Sequence, residues 1–427
     1  MKNEKLKMKN IFKPLSRGVA RFIVTGCVIL AFTFSANAQS STENLKKHVY
    51  FLAGKKLKGR GTGSKGEKLA SEYIAKQFKS YGLTPKGDNG YFQTFTFKDK
   101  SNPHDTIGDG AERNLTNVIG FLDNGAANTI IIGAHYDHLG LGHDHNSLDA
   151  NPDNKAHYGA DDNASGTAGM LEMARHYATN NIKEEYNFLF MAFSGEELGL
   201  LGSKKFTGKP TIDMAKVNFM LNFDMIGRLS KETNKLIVYG VGTSPNFVPA
   251  IGAVKTDLSI KQDSSGIGPS DQTSFYLQNI PVLHFFTGQH SDYHKPSDTP
   301  DKVNYDGEKV VVDYAIALVD ELQLQPKQPF LATKVKAEDT PKFKVTMGIM
   351  PDYAFDGKGV HVDGVTDGKP AALAGLKKGD IIIKLGDVDV TDMTTYMKAL
   401  AAQKKGSVAE VVVMRGTERV VSKVEFK

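Results

Sequence analysis

Five short apolar runs constrain this chain more than any other feature: residues 129–134, 187–193, 217–223, 235–241 and 280–286. Each is nearly continuous in apolar residues and short enough to be a strand covered on both faces. Segments with helical spacing separate or flank them. In 65–81, Leu69, Tyr73, Ile74, Phe78 and Tyr81 fall on one helical face, and Gly82 suits the end of that helix. Residues 166–177 and 305–322 read as helices as well. Alternation of this kind from Glu43 to about Leu322 predicts an α/β fold, a mostly parallel mixed sheet sandwiched by helices. Ligands of such sheets bind beyond the carboxyl ends of the strands.

Those ends carry chemistry. His135, Tyr136 and Asp137 follow the first run; Ser194, Gly195, Glu196 and Glu197 follow the second; Asn222, Phe223 and Asp224 close the third. A bound imidazole commonly donates its other N–H to a carboxylate, which links Asp137 to His135. His138 points elsewhere if the chain is still extended there, because alternate side chains face opposite ways. In 159–166, Asp161 and Asn163 suit an Asx turn and Ser165 a helix cap, whereas the two oxygens of Asp162 could bridge a pair of metal ions. The adjacent acids Glu196 and Glu197 point in different directions, so one can bind metal while the other holds a water. Asp224 interrupts an apolar strand and needs a cation or strong hydrogen bonds there. His294, beside Tyr293, completes a set of two imidazoles and several carboxylates suited to divalent cations, zinc first.

The stretches His135-Tyr-Asp137, Gly159-Ala-Asp-Asp-Asn-Ala-Ser-Gly166, Ser194-Gly-Glu-Glu-Leu-Gly199, Asn222-Phe-Asp-Met-Ile-Gly227 and Asp292-Tyr-His-Lys-Pro-Ser-Asp-Thr299 resemble the secreted double-zinc aminopeptidases of metallopeptidase family twenty-eight. The resemblance takes in 57–63 and covers roughly 43–322. It implies two zinc ions per chain, with Asp162 bridging them. His135 and Asp224 would complete one position, Glu197 and His294 the other. It further implies a metal-bridging hydroxide as nucleophile, Glu196 as general base, Asp137 as the support of His135 and Tyr293 as a donor to the oxyanion. The expected function is a metallo-exopeptidase acting on peptides, foremost an aminopeptidase. Carboxypeptidase, dipeptidase or glutaminyl cyclase chemistry on the same scaffold, or an inactive peptide-binding scaffold, are the alternatives. The chain departs from the family at Asp271-Gln272, where related sequences often have Asp-His. The 139–158 insertion, with His143, His145 and His157, reads as a solvated loop over the site.

The amino terminus reads as a targeting segment. Seven Lys and Arg precede an apolar stretch at 22–34, followed by Ala36-Asn37-Ala38, the pattern of a secretory signal spanning 1–38. A lipoprotein signal ending at Cys27 would leave about five residues after Arg21, too few for the usual apolar region. Export without a lipid anchor is therefore expected. The chain has 53 Lys+Arg and 48 Asp+Glu; removing the leader's seven cations and Glu4 leaves 46 against 47. Near-neutrality gives no support for nucleic-acid binding. Cys27, the only cysteine, would leave with the leader, so neither disulfides nor thiol chemistry are expected.

Residues 323–341, with Pro326, Pro329 and Pro341, read as a linker between a zinc peptidase domain at 39–322 and a small β/α module at 342–427. In that module, Met347-Gly348-Ile349-Met350 and the stretch 374–382 resemble a PDZ domain. The resemblance makes Met347–Met350 a loop whose backbone N–H groups hold a peptide or protein terminus, with the strand edge adding the peptide as another strand.

Overall fold

The computed structural model describes residues 40–98, 112–144, 146–333, 345–351, 355, 357–365 and 368–426. The expected leader, including Cys27, and His145 lie outside the described residues. The chain opens with helices α1 (Thr42–Leu52) and α2 (Lys65–Ser80) and strands β1 (Thr84–Pro85), β2 (Phe92–Lys98), β3 (Glu112–Leu122) and β4 (Thr129–His135). It continues through α3 (Gly166–Thr179), β5 (Asn187–Phe193), α4 (Leu201–Gly208), β6 (Val217–Phe223), β7 (Lys235–Tyr239), α5 (Phe247–Ala253), β8 (Ser259–Asp263), α6 (Gln272–Tyr276), β9 (Val282–Phe286) and α7 (Tyr305–Gln323).

The strands form one sheet in the order β1-β3-β5-β4-β6-β9-β7-β8, with β2 on β3. Its centre, β5-β4-β6-β9, is parallel, and antiparallel pairs flank it at β3·β5 and β7·β9. The expected mixed sheet with helices on both faces is met, most of its parallel pairings gathered at the centre and half of all pairings antiparallel. The continuous apolar runs follow from burial on two faces. Ile130, Ile132, Phe188, Phe190, Phe219 and Leu221 pack under α1, α2, α3, α5 and α7. Ile131, Leu189, Met191 and Met220 pack on the other side with Phe206 of α4 and Phe275 of α6. Each strand thus supplies both layers by simple alternation. Register then brings the strand ends level: His135 pairs with Phe193 and Gly133 with Asn222.

Arg60 ties the segments above those ends together. It is fully buried, and its donors go to backbone carbonyls: Nε to Tyr136 O (2.7 Å), Nη1 to Leu52 O and Tyr158 O (2.7 Å each), and Nη2 to Gly159 O (2.9 Å). Its own carbonyl accepts from His138 N (3.1 Å). Burial brings the guanidinium down to about 10, against the pull of Asp162, Asp137, Asp298 and Glu197.

Residues 328–333, inside the stretch read as a linker, dock on the peptidase domain. Gln328 N donates to Asn218 Oδ1 (2.6 Å), Leu331 N to Thr243 O (2.8 Å) and Thr333 N to the Tyr276 hydroxyl (2.9 Å).

The carboxy-terminal module comprises β10 (Ile349–Pro351), β11 (Val360–Val365), α8 (Pro370–Leu373), β12 (Asp380–Leu385), β13 (Val388–Asp389), α9 (Met393–Ala401), β14 (Val408–Arg415) and β15 (Glu418–Glu425). Its sheet runs β10-β11-β12-β14-β15, antiparallel throughout, with its own apolar core. Met347 is buried in that core, Gly348 has φ +72°, and Ile349 and Met350 lie on β10. Among the described residues β10 pairs only with β11, so one of its edges is open. No helix among the described residues is long and apolar enough to cross a membrane.

Replacing Arg60 with Met keeps the bulk but leaves several buried carbonyls without donors. The expected loss of stability is at least about 3 kcal/mol, from unmet buried acceptors at about 1–3 kcal/mol each. An unchanged denaturant midpoint would show that Arg60 holds nothing together.

Candidate metal centre

Three strands of the sheet deliver four of the expected residues directly. His135 is the last residue of β4, Asp224 follows the last residue of β6, and Glu196 and Glu197 lie in the turn after β5. Gly195 makes that turn with φ +72°, a conformation side chains rarely adopt, and a Cβ there would meet Leu115 and Leu201. Asp162 comes from the turn 160–165, and the Asp162–Asn163 peptide is cis. His294 arrives from the loop after β9 with φ +54°.

Asp162 stands between two imidazoles. Its Oδ1 lies 3.5 Å from His135 Nε2, and its Oδ2 lies 3.2 Å from His294 Nε2. On one side Asp224 Oδ1 is 3.4 Å from His135 Nε2; on the other Glu197 Oε2 is 3.1 Å from His294 Nε2. All five expected metal-binding residues therefore converge. Glu196 Oε2 is 3.9 Å from His135 Nε2, with its backbone N–H donating to Asp137 Oδ1 at 3.1 Å. Asp137 also accepts from Thr62 Oγ1 (2.7 Å). Its oxygen is 3.7 Å from His135 Nδ1, too long for a hydrogen bond, so here it acts on the imidazole through charge. Tyr293 stacks on His294, ring centroids 3.9 Å apart, and lines the same pocket as Glu196 and Asp224.

The electrostatics ask for cations. Burial alone would lower the His135 imidazole, but Asp224 and Glu196 hold it well above its usual range. His294 is raised likewise against burial, first by Glu197. Burial pushes the Glu196 carboxyl well up, with His135 opposing and Glu197, Asp224 and Asp271 adding to it. Imidazoles aimed at acid oxygens from both sides of Asp162 are a donor set that fits divalent metal, with hard oxygens and borderline nitrogens in two groups.

Several contributors are not evident in the sequence. His138 is one, and its expected orientation away from the site is incorrect. The strand ends at His135, the alternation rule lapses, and a bridge to Gly61 turns His138 back so that Nδ1 lies 2.8 Å from Glu197 Oε1. The 139–158 insertion, expected to be solvated, is partly built into the centre. Asn146 O faces His294 Nδ1 at 2.9 Å, and Ser147 Oγ donates to His294 O (3.2 Å) while bonding the buried His157 (2.7 Å). Behind the Ser194 turn, the buried Glu67 of α2 bonds Ser194 Oγ and Gly63 N. Ser165 does not cap α3; Asn163 Oδ1 accepts from Gly166 N instead (2.9 Å). Asp161 takes Gly227 N (2.7 Å) and faces His290 (3.1 Å), holding loops rather than metal. Gln272 is buried beside Asn222 at 3.5 Å and is absent from the pocket lining around Glu196.

Residues 117–319 match the family model of peptidase family M28, and residues 325–425 match that of the PDZ domain. The chain carries an M28 peptidase domain followed by a PDZ domain. It is 30% identical over 183 residues to Aminopeptidase YwaD of Bacillus subtilis (strain 168), covering 40% of this chain and 39% of that relative. The match thus spans well under half of the relative's length. The fold is shared with glutaminyl cyclase of Porphyromonas gingivalis, at TM-score 0.54 and 18% identity over 67% of this chain and 99% of that one. It is shared also with a Zn-dependent exopeptidase of Parabacteroides distasonis ATCC 8503, at TM-score 0.51 and 16% identity over 67% and 99%. At these identities the two structures speak for the M28 domain's fold alone.

Stripping divalent metal from the protein should lower its melting temperature, and zinc should restore it. At free zinc about a thousandfold above Kd the linkage amounts to about 4 kcal/mol. A melting temperature indifferent to chelator and to zinc would show that protons alone satisfy these acids.

Proposed function

We propose that this protein is an exported zinc aminopeptidase, with its peptidase domain at 39–322 after loss of a leader at 1–38. The observation that supports this best is Asp162, whose two oxygens face His135 and His294 from opposite sides. His135, Asp162 and Asp224 would hold one zinc, and Asp162, Glu197 and His294 a second. When bound, zinc supplies Lewis-acid polarisation of the scissile carbonyl and lowers the pKa of a water toward about 7.

The side chains around that centre divide the remaining work. Glu196, at the pocket and beside His135, takes the proton from the attacking water and delivers it to the leaving amine as the C–N bond breaks. Asp137 fixes Glu196 through its backbone N–H and acts on His135 through charge. Tyr293 donates to the oxygen of the carbonyl as negative charge develops on it. Met225, Phe286 and Tyr293 give the pocket an apolar wall, which suits an apolar residue at the cleaved amino end.

Glutaminyl cyclase chemistry is the second reading, favoured by the shared fold alone. The group His135, Asp162 and Asp224, with no role in a single-zinc site, supports the hydrolase instead. The PDZ module, through Met347–Met350 and the open edge of β10, would take a peptide or protein terminus by adding it as a strand.

A peptide presented with its amino terminus free and, separately, acetylated tests the reaction, with products identified by mass. Sequential loss of amino-terminal residues from the free peptide alone is expected, faster for leucine than for aspartate. Cleavage of both would move the specificity away from the amino end, and loss of ammonia from an amino-terminal glutamine would establish the cyclase. Glu196→Gln should retain zinc and lose about 10²–10⁴ in kcat; near-normal turnover would remove Glu196 from the base role. Tyr293→Phe should cost about 10²–10³ in kcat with little change in KM, and an unaffected kcat would remove Tyr293 from the oxyanion.

A further inference from the structure

We propose that Glu67 is a positioning residue for the general base: it closes a ring of hydrogen bonds that holds the turn carrying Glu196. This rests on the role given to Glu196 above and extends it to a side chain that lies behind the pocket and is absent from its lining. The ring runs through five residues. Ser194 Oγ donates to Glu67 Oε1, and two residues on Glu196 N donates to Asp137 Oδ1 (3.1 Å). The other oxygen of Asp137 accepts from Thr62 Oγ1 (2.7 Å), and the neighbouring Gly63 donates its N–H to Glu67 Oε2. The path returns to the carboxyl group from which it began.

The bland reading of Glu67 is a helix cap. Ser64 caps α2 by accepting from Glu67 N (3.3 Å), and an acid at that place in a capping box reaches back to the N–H of the capping residue. Glu67 does otherwise. One oxygen goes past Ser64 to Gly63, and the second leaves the helix for Ser194, while the residue is 3% exposed. Gly66 makes this approach feasible, because a Cβ there would come within 1.8 Å of Leu57 O. The turn itself is pinned on both sides of Gly195 (φ +72°), by the Ser194 hydroxyl before it and the Glu196 N–H after it. Both pins lead to the short segment from Thr62 to Glu67. Further bonds, from Ser194 N to Asn117 Oδ1 (3.1 Å) and from Leu201 N to Gly195 O (3.0 Å), remain when Glu67 is removed. Glu197 keeps its own partners in His138 and His294. The defect to expect is therefore a displaced Glu196 in a folded protein that still binds zinc.

Full-length, zinc-loaded protein acting on a leucine peptide with a free amino terminus tests this. Glu67→Ala and Ser194→Ala should each lower kcat about 10–100-fold, as displacement of a reacting group by about 1 Å does. KM and zinc affinity in chelator competition should stay within about threefold. The two variants cut one link, so Glu67→Ala/Ser194→Ala should match Glu67→Ala alone; additive losses overturn the proposal. Burial pushes the Glu67 carboxyl well up, and the charge of Asp137 adds to this, so an uncharged amide copies it. Glu67→Gln, with an acceptor for Gly63 N and a donor for Ser194 Oγ, should bring kcat back to within about threefold. Hydrogen exchange at the Glu196 amide should quicken at least about tenfold in Glu67→Ala, with or without zinc. A lower melting temperature with kcat and that exchange unchanged would make Glu67 a helix cap only. If Glu67→Ala does not fold, Ser194→Ala decides alone, and an unchanged kcat there overturns the proposal. Inactive Glu196→Gln beside fully active Glu67→Ala and Ser194→Ala sinks this inference by itself. Near-normal turnover of Glu196→Gln sinks the base assignment and this inference with it.

Discussion

Like charges buried side by side are the constraint on which the rest of this structure depends. Asp137, Asp162, Glu196, Glu197 and Asp224 are drawn to one end of the sheet, most of them out of water, where isolated carboxylates are costly. Their arrangement is stable only with positive charge among them. Arg60 supplies one permanent cation beneath, yet its four side-chain hydrogen bonds go to backbone carbonyls, of Leu52 and of the segments that carry the acids and histidines. It therefore relieves the acids through its field while fixing the backbone that presents them. The balance is left to the imidazoles and to whatever cation they share.

The sheet and the outer shape of the site were legible because both obey short-range rules. Strands β5 and β6 coincide with their apolar runs, since every residue of each is buried and the few asparagines among them do not break the run. His135, Glu196, Glu197 and Asp224 were found by their place just past those ends. What escaped notice was whatever depends on a chain reversal. Strand alternation sends His138 away from the site, but it has no force once the chain bends to meet Gly61. Glu67 reads as an ordinary acid in the first turn of a helix, and only the fold shows it buried against Ser194. The 139–158 insertion is polar because its groups bond one another and the His294 backbone; from composition that is indistinguishable from solvation. Arg60 lies within the stretch 57–63 that the resemblance takes in, but its role depends on four carbonyls, three of them distant along the chain.

A parallel sheet can bring residues level, but it cannot make them converge. Neighbouring strands keep their side chains apart by the strand spacing, whereas metal ligands must come within about 3–4 Å of each other. Irregular backbone closes that gap here. Gly195 turns Glu196 and Glu197 inward, Met225 adopts φ +54° directly after Asp224, and His294 itself has φ +54°. Non-glycine residues in that region carry a cost of order 1–3 kcal/mol each, tolerated where surrounding contacts over-determine the conformation. The contacts are in view at both places. Asn163 Oδ1 accepts from Met225 N (3.2 Å), and the Asn146–Ser147 segment grips His294 at its ring and its carbonyl. The insertion is thus part of what makes His294 usable, and its polarity follows from that task. A regular scaffold sets the height of each residue, and a few strained positions, braced by neighbouring loops, set the distances on which the chemistry depends.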